Sequence, residues 1–294
     1  KTTATAKITS LKSSKLAGMP KHKLDKLLQK IGRPAYQILP IENKTNETLA
    51  KEQLLTASKF GGDPYFEAGE QWPICGKCEN AESFICQLDL RQAKDAQLPN
   101  SFGLLTFFYC FQCFPWDAPQ PGWTARNYPQ ADIAKAVCIE KPPPKQVGFF
   151  KKLFAKNNAS ENSKVTLVEF KSFICYPQLD ELDEIAEGLA PEFKSLQAEV
   201  EESGKEDFCD IYYKTIEQSG QDSDNFGTII GGYSQWIQCF PPDLKCKHCQ
   251  SWMRQLVQLG SEKKLDIMFG DAGCIYLSIC DEHPQETSMM LQCF

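Results

Sequence analysis

A chain of 294 residues with 42% hydrophobic side chains can bury one large core or two ordinary ones, which excludes a disordered or fibrous protein. No run approaches the roughly eighteen apolar residues of a membrane-spanning helix, and a net charge of −6 argues against a broad phosphate-binding surface. Neither a membrane nor a nucleic acid is the expected partner.

Residues 1–21 are polar and basic and read as a flexible arm. Leu24, Leu27, Leu28 and Ile31 recur at helical spacing, and Gly32 with Pro34 ends that helix ahead of an extended Ala35 to Ile41. Further strands are expected at Phe84 to Leu90, Leu104 to Cys110, Ile133 to Ile139, Val165 to Cys175, Gln255 to Leu259, Cys274 to Cys280 and Ser288 to Phe294. The proline- and lysine-rich stretch 141–164 reads as a linker or surface loop between a first half, 22–140, and a second, 165–294. From Pro177 to Asn225 the pattern turns helical and acidic, with fifteen Asp/Glu against three Lys, whereas residues 1–59 carry twelve Lys/Arg against four acids. The acidic helices present either a solvated face or a docking surface for a basic partner, with Glu199, Glu201 and Glu202 as its candidate contacts.

Fourteen cysteines are the composition signal to explain. Disulfide scaffolds are usually short chains with too little core, so metal or redox chemistry comes first for a chain of this size. No apolar secretory leader opens the sequence, and the expected compartment is the cytoplasm.

The halves repeat at an offset near 170 residues. Phe60-Gly61-Gly62 recurs as Ile230-Gly231-Gly232, and Cys75-Gly76-Lys77-Cys78 as Cys246-Lys247-His248-Cys249. Nine residues beyond each pair comes Gln87-Leu88 or Gln258-Leu259. Gly103 precedes Cys110 by seven residues, as Gly273 precedes Cys280, and Cys110-Phe111-Gln112-Cys113 becomes Cys280-Asp281-Glu282-His283. Each half is thus C-x2-C, about thirty residues holding two strands, then C-x2-[CH], and the expected fold is α+β and internally duplicated, two antiparallel-sheet units each tied by this pattern, with flanking helices. Tight turns of this kind place two soft ligands about 3.5 Å apart, and the intervening strands bring two turns together around a tetrahedral ion. The expected sites are Cys75, Cys78, Cys110 and Cys113, and Cys246, Cys249, Cys280 and His283, holding one or two structural zinc ions between them, with the second set the weaker because its fourth ligand is His283 and not a cysteine. With four protein ligands apiece they leave no open position for catalysis.

Other readings of the same residues are disulfides, inert thiols, or a redox turn at Trp72-Pro73-Ile74-Cys75-Gly76-Lys77-Cys78, which faintly echoes thioredoxin. His283 has no role in a disulfide, and the redox turn lacks its βαβ context. Cys86, Cys138, Cys175, Cys209, Cys239, Cys274 and Cys293 mostly lie on apolar runs and are expected to be small core residues. Three histidines, one already a ligand, are poor material for acid/base work. His248 sits inside a C-x2-C turn and is expected to be exposed. Glu67, Glu70, Asp266 and Asp271 have no spacing that separates them from ordinary loop acids. The Gly-Gly pairs mark positions of positive φ or close backbone approach, and Tyr65, Phe66, Trp72 and Trp236 beside them are expected to cover a core edge.

The segments Gly61-Gly62-Asp63-Pro64-Tyr65, Trp72-Pro73-x-Cys75-x-x-Cys78, Phe84 to Asp89 and Gly103 to Cys110 resemble the YwqG-like family, as do Ile230 to Tyr233, Gly270 to Tyr276 and the closing Leu291 to Phe294. The resemblance spans roughly Gly32 to Phe294. It implies an internally duplicated α+β fold of undetermined activity, similar in its Gly-Gly, C-x2-C and Gln-Leu pattern to the programmed cell death protein 2 family, a dedicated chaperone for a ribosomal protein. YwqG-like domains also occur as candidate immunity proteins against polymorphic toxins. Both associations imply protein binding rather than catalysis. The competing expectation is an enzyme of unknown reaction, with a cleft between the halves.

Overall fold

The structure, a computed structural model, describes residues 19–41, 53–145, 165–185, 188–204, 206–221, 227–241 and 243–294. Most of the expected N-terminal arm and of the 141–164 linker lies outside the described residues. Two compact units are distinguished, each assembled from separated stretches of chain.

The helical unit holds α1 (Met19–Ile31), the short α2 (Leu182–Ile185), α3 (Ala190–Ser203) and α4 (Phe208–Gln218). Leu24, Leu27, Leu28 and Ile31 form the buried face of α1 as their spacing demands. The helix stops at Gly32, where a Cβ would stand 2.7 Å from Ile174 Cγ2. Pro191 opens α3, whose Phe193, Leu196 and Val200 face inward, and Gly204 ends it in the left-handed conformation at φ 60°. Asp207 caps α4 by accepting from the N–H groups of Cys209 and Asp210. These faces meet Tyr176, Phe208, Tyr212 and Ile216 in one apolar cluster.

The strands are β1 (Arg33–Pro40), β2 (Lys59–Phe60), β3 (Ser83–Asp89), β4 (Leu104–Tyr109), β5 (Trp123–Tyr128), β6 (Thr166–Cys175), β7 (Ile229–Gly231), β8 (Arg254–Gly260), β9 (Cys274–Ile279) and β10 (Thr287–Gln292), all in the sheet unit except Arg33 and Pro34 of β1 and Phe173 to Cys175 of β6. They form one sheet in the order β10-β9-β8-β7-β1-β6-β2-β3-β4-β5. The ladders β1/β7, β7/β8, β8/β9 and β9/β10, and likewise β6/β2, β2/β3, β3/β4 and β4/β5, are antiparallel. Every residue of β4 and β9 is buried, so these strands read as continuous apolar runs instead of alternating ones. The core runs from Ile38 and Phe60 through Phe107 and Tyr109 to Leu256, Phe269 and Leu277. Regular strand pairing breaks once in β3, between Phe84 and Cys86, and once in β8, between Gln255 and Val257.

Two expectations need correction. Ile133 to Ile139 is not a strand: Asp132 caps a 3₁₀ turn at Ile133–Lys135, and Val137 and Ile139 pack on Phe66, Trp72, Phe84 and Phe108 without joining the sheet. Of the seven remaining cysteines, Cys86, Cys175 and Cys274 are buried, Cys293 is half-buried, and Cys138, Cys209 and Cys239 are exposed. The glycine pairs do stand at positive φ, 67° and 72° at Gly61 and Gly62, 70° and 69° at Gly231 and Gly232. Tyr65, Phe66, Trp72 and Trp236 are buried.

Lys59, on β2, is only 1% exposed. Its ammonium donates to the carbonyls of Leu54 (2.5 Å) and Asp63 (2.7 Å). Burial lowers its pKa from 10.5 to about 8, against the opposing charges of Asp63 and Cys138. The folded state therefore releases this proton first, and the penalty of burying the charge, full below pH 8, is relieved as pH rises toward 10.5. Across that window the wild type should gain up to about 3 kcal/mol relative to Lys59→Met, measured by urea unfolding. A stability difference between the two proteins that did not change with pH would contradict this.

Candidate metal centres

Strand register brings the cysteine turns together. Ser83 pairs with Tyr109 where β3 begins and β4 ends, so the turn before β3 and the turn after β4 lie side by side. Arg254 opposite Ile279 does the same for β8 and β9. The leading turn of each cluster sits in a small hairpin closed by an isolated bridge, Ile74 with Ala81 and Lys245 with Trp252.

Within these turns the backbone folds back on itself: the N–H groups of Glu79, Phe114 and Gln250 donate to the carbonyls of Cys75, Cys110 and Cys246 at 2.8, 2.9 and 2.9 Å. All three donors adopt positive φ, at 56°, 51° and 62°. A non-glycine residue seldom takes that conformation, and here it comes directly after the second ligand of its pair. The fourth turn departs from the others because Pro284 follows His283; there the Glu286 N–H donates to the His283 carbonyl at 2.8 Å. Gly122, at φ 116°, backs the first cluster, and a Cβ there would lie 3.1 Å from Cys75 Sγ.

The eight expected ligands are gathered into two groups of four: Cys75, Cys78, Cys110 and Cys113, and Cys246, Cys249, Cys280 and His283. In each group the four ligand atoms lie within 4.8 Å of one another. Sγ of Cys78 and Cys110 are 3.6 Å apart and those of Cys249 and Cys280 are 3.5 Å apart. His283 Nδ1 stands 3.6 Å from Cys246 Sγ and 3.7 Å from Cys280 Sγ. A tetrahedron with metal–sulfur bonds of about 2.3 Å has edges near 3.8 Å, whereas a disulfide needs about 2.05 Å. The separations suit four ligands around one ion, and all fourteen cysteines are free. Both clusters can therefore hold a metal ion.

The thiols of a cluster do not hold their protons equally. Burial raises Cys78, yet the Asn80 N–H and the thiols of Cys113, Cys110 and Cys75 bring it down to about 7. The Ser251 hydroxyl and N–H, with Cys280 and His283, lower Cys249 to about 6 against burial. Burial and the neighbouring thiols push Cys113 up to about 11, and burial also raises Cys110 and Cys280. Cys78 and Cys249 thus give up their protons readily to an arriving cation.

Around the second cluster His248 is exposed, as expected, and its ring lies 5.1 Å from that of His283. Its Nε2 is 2.9 Å from Glu286 Oε1, and Lys247 pairs with the other carboxylate oxygen at 2.7 Å. Glu70 accepts from the Tyr128 hydroxyl (2.9 Å) and Arg126 (3.2 Å), which ties the loop after β2 to β5. In the helical unit Glu199 pairs with Lys23 at 2.5 Å, Glu201 accepts from Gln197 at 2.7 Å, and Glu202 is exposed. Asn80, Ser251, Gly122 and β5 escaped the sequence reading; the only available signal was Gly122 ahead of the alternating Trp123 to Tyr128.

Fold and site define a protein of mostly antiparallel sheet with accompanying helices and two four-ligand cysteine/histidine clusters. The chain belongs to the family described as Domain of unknown function (DUF1963), whose model matches residues 58–286, a span that includes all eight ligands. Comparison with curated proteins gives no match. Among the described residues no helix is long and apolar enough to cross a membrane.

Proposed function

We propose that this chain is a non-catalytic, intracellular protein-binding module whose sheet unit is stiffened by two structural zinc ions. The observation that carries the reading is the assembly of eight soft ligands into two closed sets of four by turns whose backbones are already bent for the task. With every position of a tetrahedron supplied by the protein, zinc in these clusters acts as a strut and not as a Lewis acid. Thiolate and imidazole donors at these separations favour zinc over hard, oxygen-preferring cations.

The module is further read as an internal duplication. In support, the bridges Ile74–Ala81 and Lys245–Trp252, the interruptions in β3 and β8, and the paired positive-φ glycines all recur at the offset found in the sequence. That pattern, with the YwqG-like resemblance and the more distant one to the programmed cell death protein 2 family, favours a binding role.

The partner is a basic polypeptide, such as a toxin domain neutralised by an immunity protein. Exposed Glu201, Glu202, Glu206 and Asp210 on and beside α3 and α4 support that choice, since complementary charge speeds encounter and selects among partners. Reversing Glu201 and Glu202 to lysine should slow association about tenfold at low salt and less at high salt, read by stopped flow. An unchanged association rate would remove this surface from the proposal. A secreted toxin encoded by the adjacent gene would favour immunity; a basic ribosomal protein recovered as the bound client would favour the chaperone role.

A further inference from the structure

We propose that the first cluster is a latch for the last strand of the sheet, so that metal held by Cys75, Cys78, Cys110 and Cys113 keeps the outer edge of β10 covered. This rests on the metal reading of that cluster. β10 pairs with β9 on one side and ends the strand order of the sheet. An end strand leaves backbone groups unpaired and open to joining another chain.

Here that edge is met by the segment leaving the first cluster. Three residues after Cys113, the Trp116 carbonyl accepts from the Leu291 N–H at 2.8 Å, and Asp117 forms an antiparallel bridge with Met290. The segment is held in place by the Tyr109 hydroxyl, which donates to the Pro115 carbonyl at 2.8 Å. An aromatic seam fastens the same turn to the chain ahead of β9: Phe111 stacks on Phe269 at 6.1 Å, and Tyr109 meets it edge-on at 5.9 Å. Gly270 sits where a Cβ would be 3.8 Å from Phe114 Cε1. The turn from Cys110 to Cys113 is therefore the common anchor of the metal ligands and the strand cover. Release of the ion removes the restraint on that turn, uncovers Met290 and Leu291, and leaves the β10 edge free to pair with a second copy of the chain.

The test is amide hydrogen exchange of the full chain, with and without the ion in the first cluster. In Cys113→Ser, the Leu291 amide should exchange about tenfold faster while Leu277, inside β9, keeps its protection. Self-association should appear in the variant by sedimentation. Unchanged Leu291 exchange in a folded chain whose first cluster alone has lost its ion would overturn the latch.

Should Cys113→Ser fail to fold, Leu291→Pro removes the N–H that donates to the Trp116 carbonyl, leaves all ligands in place and tests the coupling in reverse. Linkage requires that loosening the strand contact also loosens the metal, so release of the first ion to a chelator should quicken about tenfold. Release at the wild-type rate would equally overturn the latch. A wild-type chain that binds no metal at the first cluster would sink the metal reading itself, which separates that failure from a bound but uncoupled ion.

Discussion

Stripping the metal from both clusters is expected to unfold the sheet unit, seen as a loss of near-ultraviolet circular dichroism and of cooperative melting. The reason is one of scale. Structural zinc contributes about 10 to 16 kcal/mol in small peptides, and a whole domain is stable by only about 5 to 15 kcal/mol. The clusters also sit where they matter: the first joins the start of β3 to the end of β4, the second the start of β8 to the end of β9, and β4 and β9 are buried along their whole length. Cys110→Ser and Cys280→Ser, both at buried ligands, should each cost several kcal/mol, and added zinc should not restore the loss. Serine at the exposed Cys209, which belongs to neither cluster, should change stability by less than about 0.5 kcal/mol. Melting curves for the two ligand variants that overlay the wild type would show that the thiols are ordinary residues.

Gly103→Ala should be the most damaging small substitution outside the ligands, costing about 3 kcal/mol or more in chemical unfolding. A Cβ at this position would stand 2.1 Å from the Tyr128 carbonyl oxygen and 2.7 Å from Pro129 Cα, both backbone atoms that cannot swing aside. Gly103 is also held from both sides, its N–H donating to Asn127 Oδ1 at 2.8 Å and its carbonyl accepting from Leu90 N–H at 2.9 Å. Relieving the clash would part β4 from β5 at the end opposite the first cluster. Gly188→Ala is the control: nothing lies within 4 Å of its Cβ position, so its effect should stay within about 0.5 kcal/mol. Equal stability of the two variants would mean that the β4–β5 contact yields more easily than its geometry implies.

The ligand sets were legible in the sequence because metal-ligand chemistry is written in local spacing. A C-x2-C turn is a short-range object, and two of them separated by a pair of strands can meet through strand register alone. Gly103 and Gly273 were visible as repeated positions, but not the reason for them, because the atoms they avoid belong to Tyr128 and to Phe269 and Gln292. The strand expected from Ile133 to Ile139 failed because Asp132 could cap a turn that apolar content alone does not register. β5 went unseen because Trp123 to Tyr128 mixes Arg126 and Asn127 into its alternation and has only one strand neighbour to bury it. The burial of Lys59 had no local sign at all: its acceptors are main-chain carbonyls, which any sequence supplies. Exposure of Cys138, Cys209 and Cys239 likewise depends on tertiary placement, not on the apolar residues beside them.

The most direct test is metal content and ligand type in protein purified without added metal. Elemental analysis should give two zinc ions per chain, and X-ray absorption should fit an average of one all-sulfur site and one site of three sulfurs with one imidazole nitrogen. A natively folded chain free of transition metal, or zinc bound through oxygen ligands, would contradict the account at its root.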